Sequence, residues 1–104
     1  MIRLSVLYPA TAGTTFNWDY YQNQHLGLVR KLLPAHGMVR AEVDRGVGGF
    51  PPGTPAPYHA IAHLFFANME DLQRALDASA AALMADIPNY TNSQPVLQVS
   101  EMVE

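Results

Sequence analysis

The 104-residue sequence contains no cysteine. Without thiols the chain can form neither disulfides nor thiolate-bound zinc or iron–sulfur centres, and it has no cysteine nucleophile. Charged residues are also scarce, at 14%, and six lysines and arginines against nine aspartates and glutamates give a net charge of −3. Because nucleic-acid surfaces need clustered cations and these six are scattered, we do not expect binding to DNA or RNA. Any chemistry must come from histidine, tyrosine, carboxylate or arginine side chains.

Long apolar runs are absent as well. A membrane-spanning helix needs about 18–20 consecutive apolar residues. The apolar stretch 4–8 contains a serine and stops at Pro9, so it is shorter than the roughly 7–15 residues of a secretory signal core. We therefore expect a cytoplasmic protein without membrane contact. With 49% hydrophobic residues, the chain can form the core of one domain, predicted to span residues 1–104.

Hydrophobic periodicity in the first half predicts a strand, a helix and a second strand. Apolar and polar residues alternate over 2–8 and again over 38–45, as in strands with one buried face. Asn17 can cap a helix that runs to about Leu33. One stripe of this helix combines apolar residues with a histidine at helical spacing: Trp18, Tyr21, His25, Leu28, Val29 and Leu32.

The second half follows a similar pattern after a loop. Residues 46–57 hold four glycines and four prolines, a composition typical of irregular structure. Residues 58–67 are apolar on both faces apart from two histidines, as expected of a central strand. Asn68 is placed to cap a second helix. The segment 86–95 is irregular and polar, and a last strand is predicted over 96–103.

This βαββαβ order is typical of the ferredoxin-like α+β sandwich, in which two helices cover one face of a four-stranded antiparallel sheet. The other face would carry apolar Leu7 and Phe65 among polar side chains, which are Arg3, Ser5, Arg40, Glu42 and Gln98. Because such a mixed face is poorly suited to water, we expect it to be buried in a symmetric homodimer. The alternative is a monomer whose open face stays hydrated.

Five segments together resemble proteins of the EthD family. They are the opening 2–9, Asp19-Tyr20-Tyr21 and His25-Leu26-Gly27-Leu28 in the first helix, the loop 53–58, and the tail 86–91 with 94–96. The resemblance spans nearly the whole chain. It implies a dimeric α+β barrel, the fold also used by muconolactone isomerase-like proteins and antibiotic-biosynthesis monooxygenase-like proteins.

The resemblance also implies functions. The first family member was linked to a gene cluster for ethyl tert-butyl ether degradation, and some fungal relatives act as decarboxylases or dehydratases on aromatic polyketides. Short bacterial members are sometimes labelled reductases. No glycine-rich fingerprint opens either helix here, so we expect no nucleotide cofactor.

Two departures limit what the resemblance can transfer. Gly27 stands where the family commonly has proline, two residues after the helix histidine. His59 and His63 stand where broader relatives tend to carry aspartate and glutamate, so the carboxylate roles of those relatives do not transfer. His63 does match the short bacterial subgroup.

His25 is the leading catalytic candidate. It lies on the apolar stripe with Tyr21 one turn earlier, so the two side chains should be neighbours at about 6 Å. An imidazole can act as a proton shuttle near neutral pH, and Tyr21 would orient it or polarise a carbonyl group. The alternative is a core histidine satisfied by one hydrogen bond.

His63, on the predicted central strand, is the third catalytic candidate. If its side chain faces the helices, it meets His25 in one cavity; if it faces the other way, it belongs to the dimer interface. His59 shares its strand face, but four strand residues span about 13 Å, so the two histidines cannot share a metal ion. We predict neither a metal nor another cofactor.

Ligand-binding side chains are expected on the irregular segment after the second helix, because binding residues favour loops held by a rigid frame. Asp86, Asn89 and Tyr90 lie on this segment, and Tyr20 is expected at the rim of the pocket. Their alternative roles are capping of a helix end and packing at the edge of the core.

The sequence thus predicts an apolar cleft between the first helix and the sheet that binds a small hydrophobic or aromatic molecule. The expected chemistry is cofactor-free proton transfer, of the isomerase, dehydratase or decarboxylase type, with His25 as the acid–base group and with His63 and Tyr90 completing the pocket wall. One alternative is a non-catalytic binding or carrier protein on the same fold. Others are haem-linked or oxygen-using chemistry, and a structural partner module without a cleft.

Overall fold

The computed structural model of the protein describes all 104 residues. Its strands are β1 (Ile2–Pro9), β2 (Met38–Arg45), β3 (Tyr58–Phe66) and β4 (Val96–Glu101), and its main helices are α1 (residues 18–32) and α2 (Met69–Asp86). All strand pairs are antiparallel, in the order β2-β3-β1-β4. The predicted ferredoxin-like α+β sandwich is confirmed, and the predicted strands differ from the observed ones only at their ends.

Helix α1 is not a uniform α-helix. It consists of an α-helical turn, a π-helical turn and an α-helical segment, which are Trp18–Tyr20, Tyr21–His25 and Leu26–Leu32. Asn17 caps its start, as predicted, because the Asn17 side chain accepts a hydrogen bond from the Tyr20 N–H at 3.1 Å. In the π turn the Leu26 N–H donates to the carbonyl of Tyr21, five residues back.

The π turn changes which side chains of α1 are buried. The predicted stripe is confirmed up to His25 and at Val29, which is buried. Beyond His25, Leu26 and Leu33 are also buried, whereas Leu28 and Leu32 are only half-buried. Because a π turn contains about one residue more than an α turn, the side chain after His25 also faces the core, and the stripe is displaced from there on.

Helix α2 begins at its predicted cap. The Asn68 side chain accepts a hydrogen bond from the Asp71 N–H at 2.8 Å, and an acidic first turn suits the positive end of the helix. Leu72 and Ala75 are buried against the sheet. The helix ends at Asp86, so its last turn fixes the position of this carboxylate. No helix in the structure has both the length and the hydropathy needed to cross a bilayer.

Two buried clusters lie between the helices and the sheet. The main core cluster consists of Leu4, Val29, Leu33, Leu64, Phe66, Leu72 and Ala75. The tyrosine cluster consists of Tyr8, Tyr21, Leu26, Ala60, Ile87 and Tyr90. Edge-to-face contacts stabilise the second cluster, including one between Tyr8 and Tyr90 with ring centroids 5.9 Å apart.

Hydrogen bonds attach the start of α1 to the segment that follows α2. The Asn17 N–H donates to the Tyr90 carbonyl at 2.7 Å, and Phe16 and Thr91 form an isolated β-bridge. The Thr91 hydroxyl donates to the carbonyl of Thr15 at 2.6 Å. The irregular segment after α2 is therefore held rigidly beside α1.

The sheet face opposite the helices, here called the open face, carries the side chains that alternate with those of the core. They are Arg3, Ser5, Leu7, Arg40, Glu42, Asp44, Ile61, His63, Phe65, Val96, Gln98 and Ser100. Phe65 is buried because the Arg40 guanidinium lies 3.9 Å from its ring centroid. The face therefore has the mixed composition expected from the sequence.

Candidate active site

A cavity of about 80 Å³ lies between the two helices and the sheet. Strands β1, β3 and β4 and both helices contribute to its wall. His25 is the only lining residue that is neither aliphatic nor a Phe, Tyr or Met. A buried polar side chain needs hydrogen-bond partners, so the surroundings of His25 decide what this cavity can do.

Asp86 holds one nitrogen of the buried imidazole. The Nδ1 atom of His25 lies 2.9 Å from Oδ2 of Asp86, and both side chains are largely shielded from water. A carboxylate is an acceptor only, so it places the ring proton on Nδ1. In the neutral ring, Nε2 then carries the free lone pair.

Two tyrosine hydroxyls continue the chain on the other side of the ring. The Tyr90 hydroxyl oxygen lies 3.4 Å from Nε2 of His25 and 2.7 Å from the hydroxyl oxygen of Tyr8. Because Nε2 accepts, the Tyr90 hydroxyl donates to it and the Tyr8 hydroxyl donates to Tyr90. Tyr8 also lines the cavity, so a ligand there can reach this chain of hydroxyls.

The second carboxylate oxygen of Asp86 accepts two hydrogen bonds. Its Oδ1 accepts from the Tyr20 hydroxyl at 2.6 Å and from Nδ2 of Asn89 at 3.0 Å. Burial alone would raise the pKa of the Asp86 carboxyl, but the hydrogen bonds from Tyr20, His25 and Asn89 outweigh burial and hold the pKa below its usual value. Asp86 therefore stays ionised at neutral pH.

The tyrosines of the site keep their protons. Burial raises the pKa of the hydroxyls of Tyr8, Tyr21 and Tyr90, and the hydrogen bond to Asp86 raises the pKa of Tyr20. At neutral pH these hydroxyls are hydrogen-bond donors and not bases. His25 is thus the group of the cluster suited to exchange a proton with a ligand.

Tyr21 supports His25 through its ring. The two rings are stacked, with centroids 5.4 Å apart and planes 18° from parallel, and both residues line the cavity. They are also the first and last residues of the π turn. The predicted neighbourhood of Tyr21 and His25 is confirmed, and the stacking fixes the imidazole plane.

His63 does not join this site. Its neighbours Ala62 and Leu64 line the cavity, so strand alternation places His63 on the open face, where Nε2 lies 3.0 Å from Oδ2 of Asp44. The expectation that His63 completes the cavity wall beside His25 is wrong. A strand with apolar residues on both faces does not reveal which face meets the helices.

The other predicted site residues are brought together. They form one hydrogen-bonded and stacked group of His25, Tyr20, Tyr21, Asp86, Asn89 and Tyr90. Only His25 and Tyr21 among them line the cavity. The expectation that Tyr90 completes the cavity wall is therefore wrong, and Tyr20, Asp86 and Asn89 contact His25 or its partners and not the cavity. Sequence reasoning missed Tyr8, which the alternation of β1 places on the same face as Leu4 and Val6. No group of three histidine, aspartate or glutamate side chains is arranged to hold a metal ion.

One protein-family model matches this sequence. Residues 14–94 match the family model described as the EthD domain. The chain belongs to the EthD family. The match covers most of the chain and includes every residue of the site except Tyr8. The family resemblance inferred from five sequence segments is therefore confirmed.

Solved structures of EthD proteins have the same fold. The EthD-like protein from Ralstonia eutropha JMP134 is 32% identical, covers 99% of this chain and 92% of its own, and gives a TM-score of 0.90. An ethyl tert-butyl ether degradation (EthD) family protein from Bacillus halodurans C-125 is 22% identical over 99% of each chain, with a TM-score of 0.77.

A structure with little sequence similarity also shares the fold. A Bacteroides fragilis NCTC 9343 protein, described as dimeric with a ferredoxin-like fold, is 13% identical, covers 97% of this chain and 95% of its own, and gives a TM-score of 0.57. No curated protein is significantly similar in sequence.

Proposed function

We propose that this EthD protein binds a small apolar molecule carrying a carbonyl or phenolic oxygen, and that it moves a proton on this molecule without a cofactor. The observation that carries the proposal is the placement of His25. It is buried in the wall of an otherwise apolar cavity, with an ionised aspartate 2.9 Å from Nδ1. An oriented imidazole of this kind is suited to general acid–base catalysis.

The geometry supports a simple sequence of steps. Nε2 of His25, whose contact with the Tyr90 hydroxyl is long at 3.4 Å and gives way to the ligand, takes a proton from a carbon next to the ligand carbonyl, and Asp86 stabilises the imidazolium that forms. The protonated Tyr21 hydroxyl in the cavity wall hydrogen-bonds the carbonyl oxygen as it gains negative charge. Return of the proton to a different atom of the ligand completes an isomerisation. In a ligand with a hydroxyl on the next carbon, the enolate forms a carbon–carbon double bond as the C–O bond breaks, and the imidazolium proton goes to the departing hydroxide, which leaves as water. Neither outcome needs a co-reactant.

Hydrogen exchange tests this proposal without knowledge of the natural substrate. Small apolar ketones in D₂O are incubated with the protein, and loss of the proton next to the carbonyl is followed by NMR. Wild type is expected to accelerate exchange of at least one ketone, and His25→Gln to slow it by roughly 10²–10⁴-fold. His36→Gln, at the end of the turn Pro34–His36, is the matched control. Equal rates for the two variants would overturn the proposal.

One observation favours a second function, non-catalytic binding. Both nitrogens of His25 already have partners, because the Tyr90 hydroxyl lies 3.4 Å from Nε2. A histidine saturated in this way can serve only to hold the cavity in shape. For such a carrier, wild type would bind ketones without accelerating exchange, and His25→Ala would retain binding.

We also propose that the protein is a homodimer formed through the open face. Leu7 and Ile61 are only half-buried there, and the buried Nε of Arg3 and Nδ1 of His63 have no hydrogen-bond partner within the chain. A second copy would cover the apolar side chains and could offer an acceptor to Nε of Arg3 and a donor to Nδ1 of His63, whose Nε2 carries the ring proton towards Asp44. The description of the Bacteroides fragilis relative as dimeric supports this assembly.

The mass in solution tests the dimer. Light scattering after gel filtration should give twice the chain mass of 11.4 kDa for wild type. Leu7→Glu introduces charge at the centre of the face and is expected to give the chain mass, whereas Val103→Glu at an exposed position near the C-terminus keeps the dimer. A wild type that runs at the chain mass would contradict the proposal.

A further inference from the structure

The wall of the cavity is exposed at one place. Most residues that line it are buried, but Met84 is 48% exposed and Leu97 is 44% exposed. Met84 lies near the end of α2, and Leu97 lies on β4, an edge strand that pairs only with β1. Leu97 shares the helix side of the sheet with its pairing partner Val6. The two exposed apolar side chains therefore mark an opening between α2 and β4.

The volume of the cavity limits what it can enclose. At about 80 Å³ it is roughly half the 150 Å³ of an engineered apolar cavity that holds one benzene molecule. A ligand with an aromatic ring or a chain of several carbons thus does not fit inside completely. The excess must leave where the wall is exposed, and there it meets the apolar side chains of Met84 and Leu97.

We infer that the ligand is amphipathic, enters between α2 and β4, and leaves an apolar tail in the opening. Its oxygen lies inside at His25 and Tyr21, and its tail contacts Met84 and Leu97. This inference names the substrate class of the proposed function and rests on it: an alkyl ketone or alkyl-substituted phenol, longer than the closed cavity. A compact polar molecule does not match an opening lined in this way.

Chain length provides the first test. The dissociation constants of 2-butanone, 2-hexanone, 2-octanone and 2-decanone are measured by NMR titration. Affinity is expected to rise by about fourfold for each methylene that becomes buried, and by less once the tail extends beyond Met84 and Leu97. Affinity that is independent of chain length, or absence of binding for the whole series, would overturn the inference.

The second test closes the opening with matched controls. Leu97→Trp is compared with Val99→Trp, because Val99 lies two residues further along the same face of β4 and is 45% exposed but does not line the cavity. The Leu97 variant is expected to bind 2-octanone at least tenfold more weakly, on the order of the two methylenes or more that it displaces. The Val99 variant should bind within about twofold of wild type, a change worth less than one methylene.

A second pair on α2 protects the test against misfolding of one variant. Met84→Trp is compared with Met69→Trp, since both methionines are 48% exposed and only Met84 lines the cavity. Equal affinities within both pairs would refute the entrance. Loss of binding in the Leu97 and Met84 variants, together with unchanged proton exchange in His25→Gln, would instead refute the catalytic proposal and leave the entrance supported.

Discussion

The protein contains two histidine–aspartate pairs of nearly equal length, one on each side of the sheet. His25 Nδ1 lies 2.9 Å from Asp86 Oδ2, and His63 Nε2 lies 3.0 Å from Asp44 Oδ2. The side chain of Asp86 is 15% exposed, whereas that of Asp44 is 68% exposed. Because water screens the outer pair and not the inner one, equal distances do not mean equal strength.

The two pairs also differ in their connections. Asp86 accepts hydrogen bonds on both oxygens, and both nitrogens of His25 have partners. On the open face, Nδ1 of His63 is buried without a partner. The inner pair is complete within one chain, which fixes the orientation of the imidazole. The outer pair has one nitrogen without a hydrogen bond, as expected if this side chain contacts a second copy of the protein in the proposed dimer.

Removing the charge of each aspartate should separate the two pairs most clearly. Asp86→Asn leaves the His25 network with a donor where an acceptor is needed, so the free energy of unfolding should fall by about 1–3 kcal/mol. Asp44→Asn should change it by less than about 1 kcal/mol, as for other exposed pairs. Urea denaturation followed by circular dichroism measures both values.

The same two variants also separate catalysis from stability. Asp86→Asn should slow proton exchange, because the imidazolium loses its stabilising charge, and Asp44→Asn should not. Equal effects of the two substitutions would show that depth in the fold does not distinguish the pairs.

Removal of one hydroxyl is expected to have a smaller effect. Tyr90→Phe leaves the Tyr8 hydroxyl and Nε2 of His25 without their shared partner, at a cost of about 1–2 kcal/mol of unfolding free energy. Tyr58→Phe, at the half-buried start of β3, is the control and should stay within about 0.5 kcal/mol of wild type. Thermal unfolding compares the two, and a Tyr90→Phe protein as stable as the control would mean that the hydroxyl chain is not a structural unit.

Acid is expected to destabilise the folded protein through protonation of Asp86. Burial of Asp86 acts to raise its pKa, but hydrogen bonds reverse this and make the pKa of the folded state lower than that of the unfolded chain. The folded state therefore binds this proton more weakly. The resulting stabilisation is complete above the unfolded pKa of about 3.9 and is lost as the pH falls through the folded pKa.

Unfolding free energies measured between pH 7 and pH 2 test this sign. Wild type should lose more stability on acidification than Asp86→Asn, which has no carboxyl to protonate. Parallel curves for the two proteins would contradict the assignment of Asp86 as an acid-sensitive group.

Periodicity and capping residues predicted most of the fold. Asn17 and Asn68 cap the two helices as expected, and alternation located all four strands. The π turn was not predictable, because one additional residue in a helical turn leaves no periodic signal over so short a segment. It is the reason that Leu26 and Leu33 are buried where the sequence favoured Leu28 and Leu32.

The candidate site was predictable where local spacing or family motifs located its residues. His25 and Tyr21 are one turn apart, and Asp86, Asn89 and Tyr90 follow one another closely. Tyr8 was missed because its partner Tyr90 is 82 residues away, and pairing over that distance depends on the fold. The face used by His63 is likewise a property of how the sheet meets the helices and not of β3 alone.

The π turn of α1 also bears on how this helix tolerates changes in length. An α-helix rotates by about 100° per residue, and the π turn contains about one residue more than an α turn. Deletion of one of Gln22, Asn23 or Gln24 would therefore return the turn to ordinary α geometry. The remainder of α1 could then keep its orientation towards the sheet, but the stacked pair at the two ends of the turn would be only three residues apart. Homologues that are one residue shorter here would therefore be expected to have a differently oriented imidazole, even with every other residue of the cavity wall unchanged.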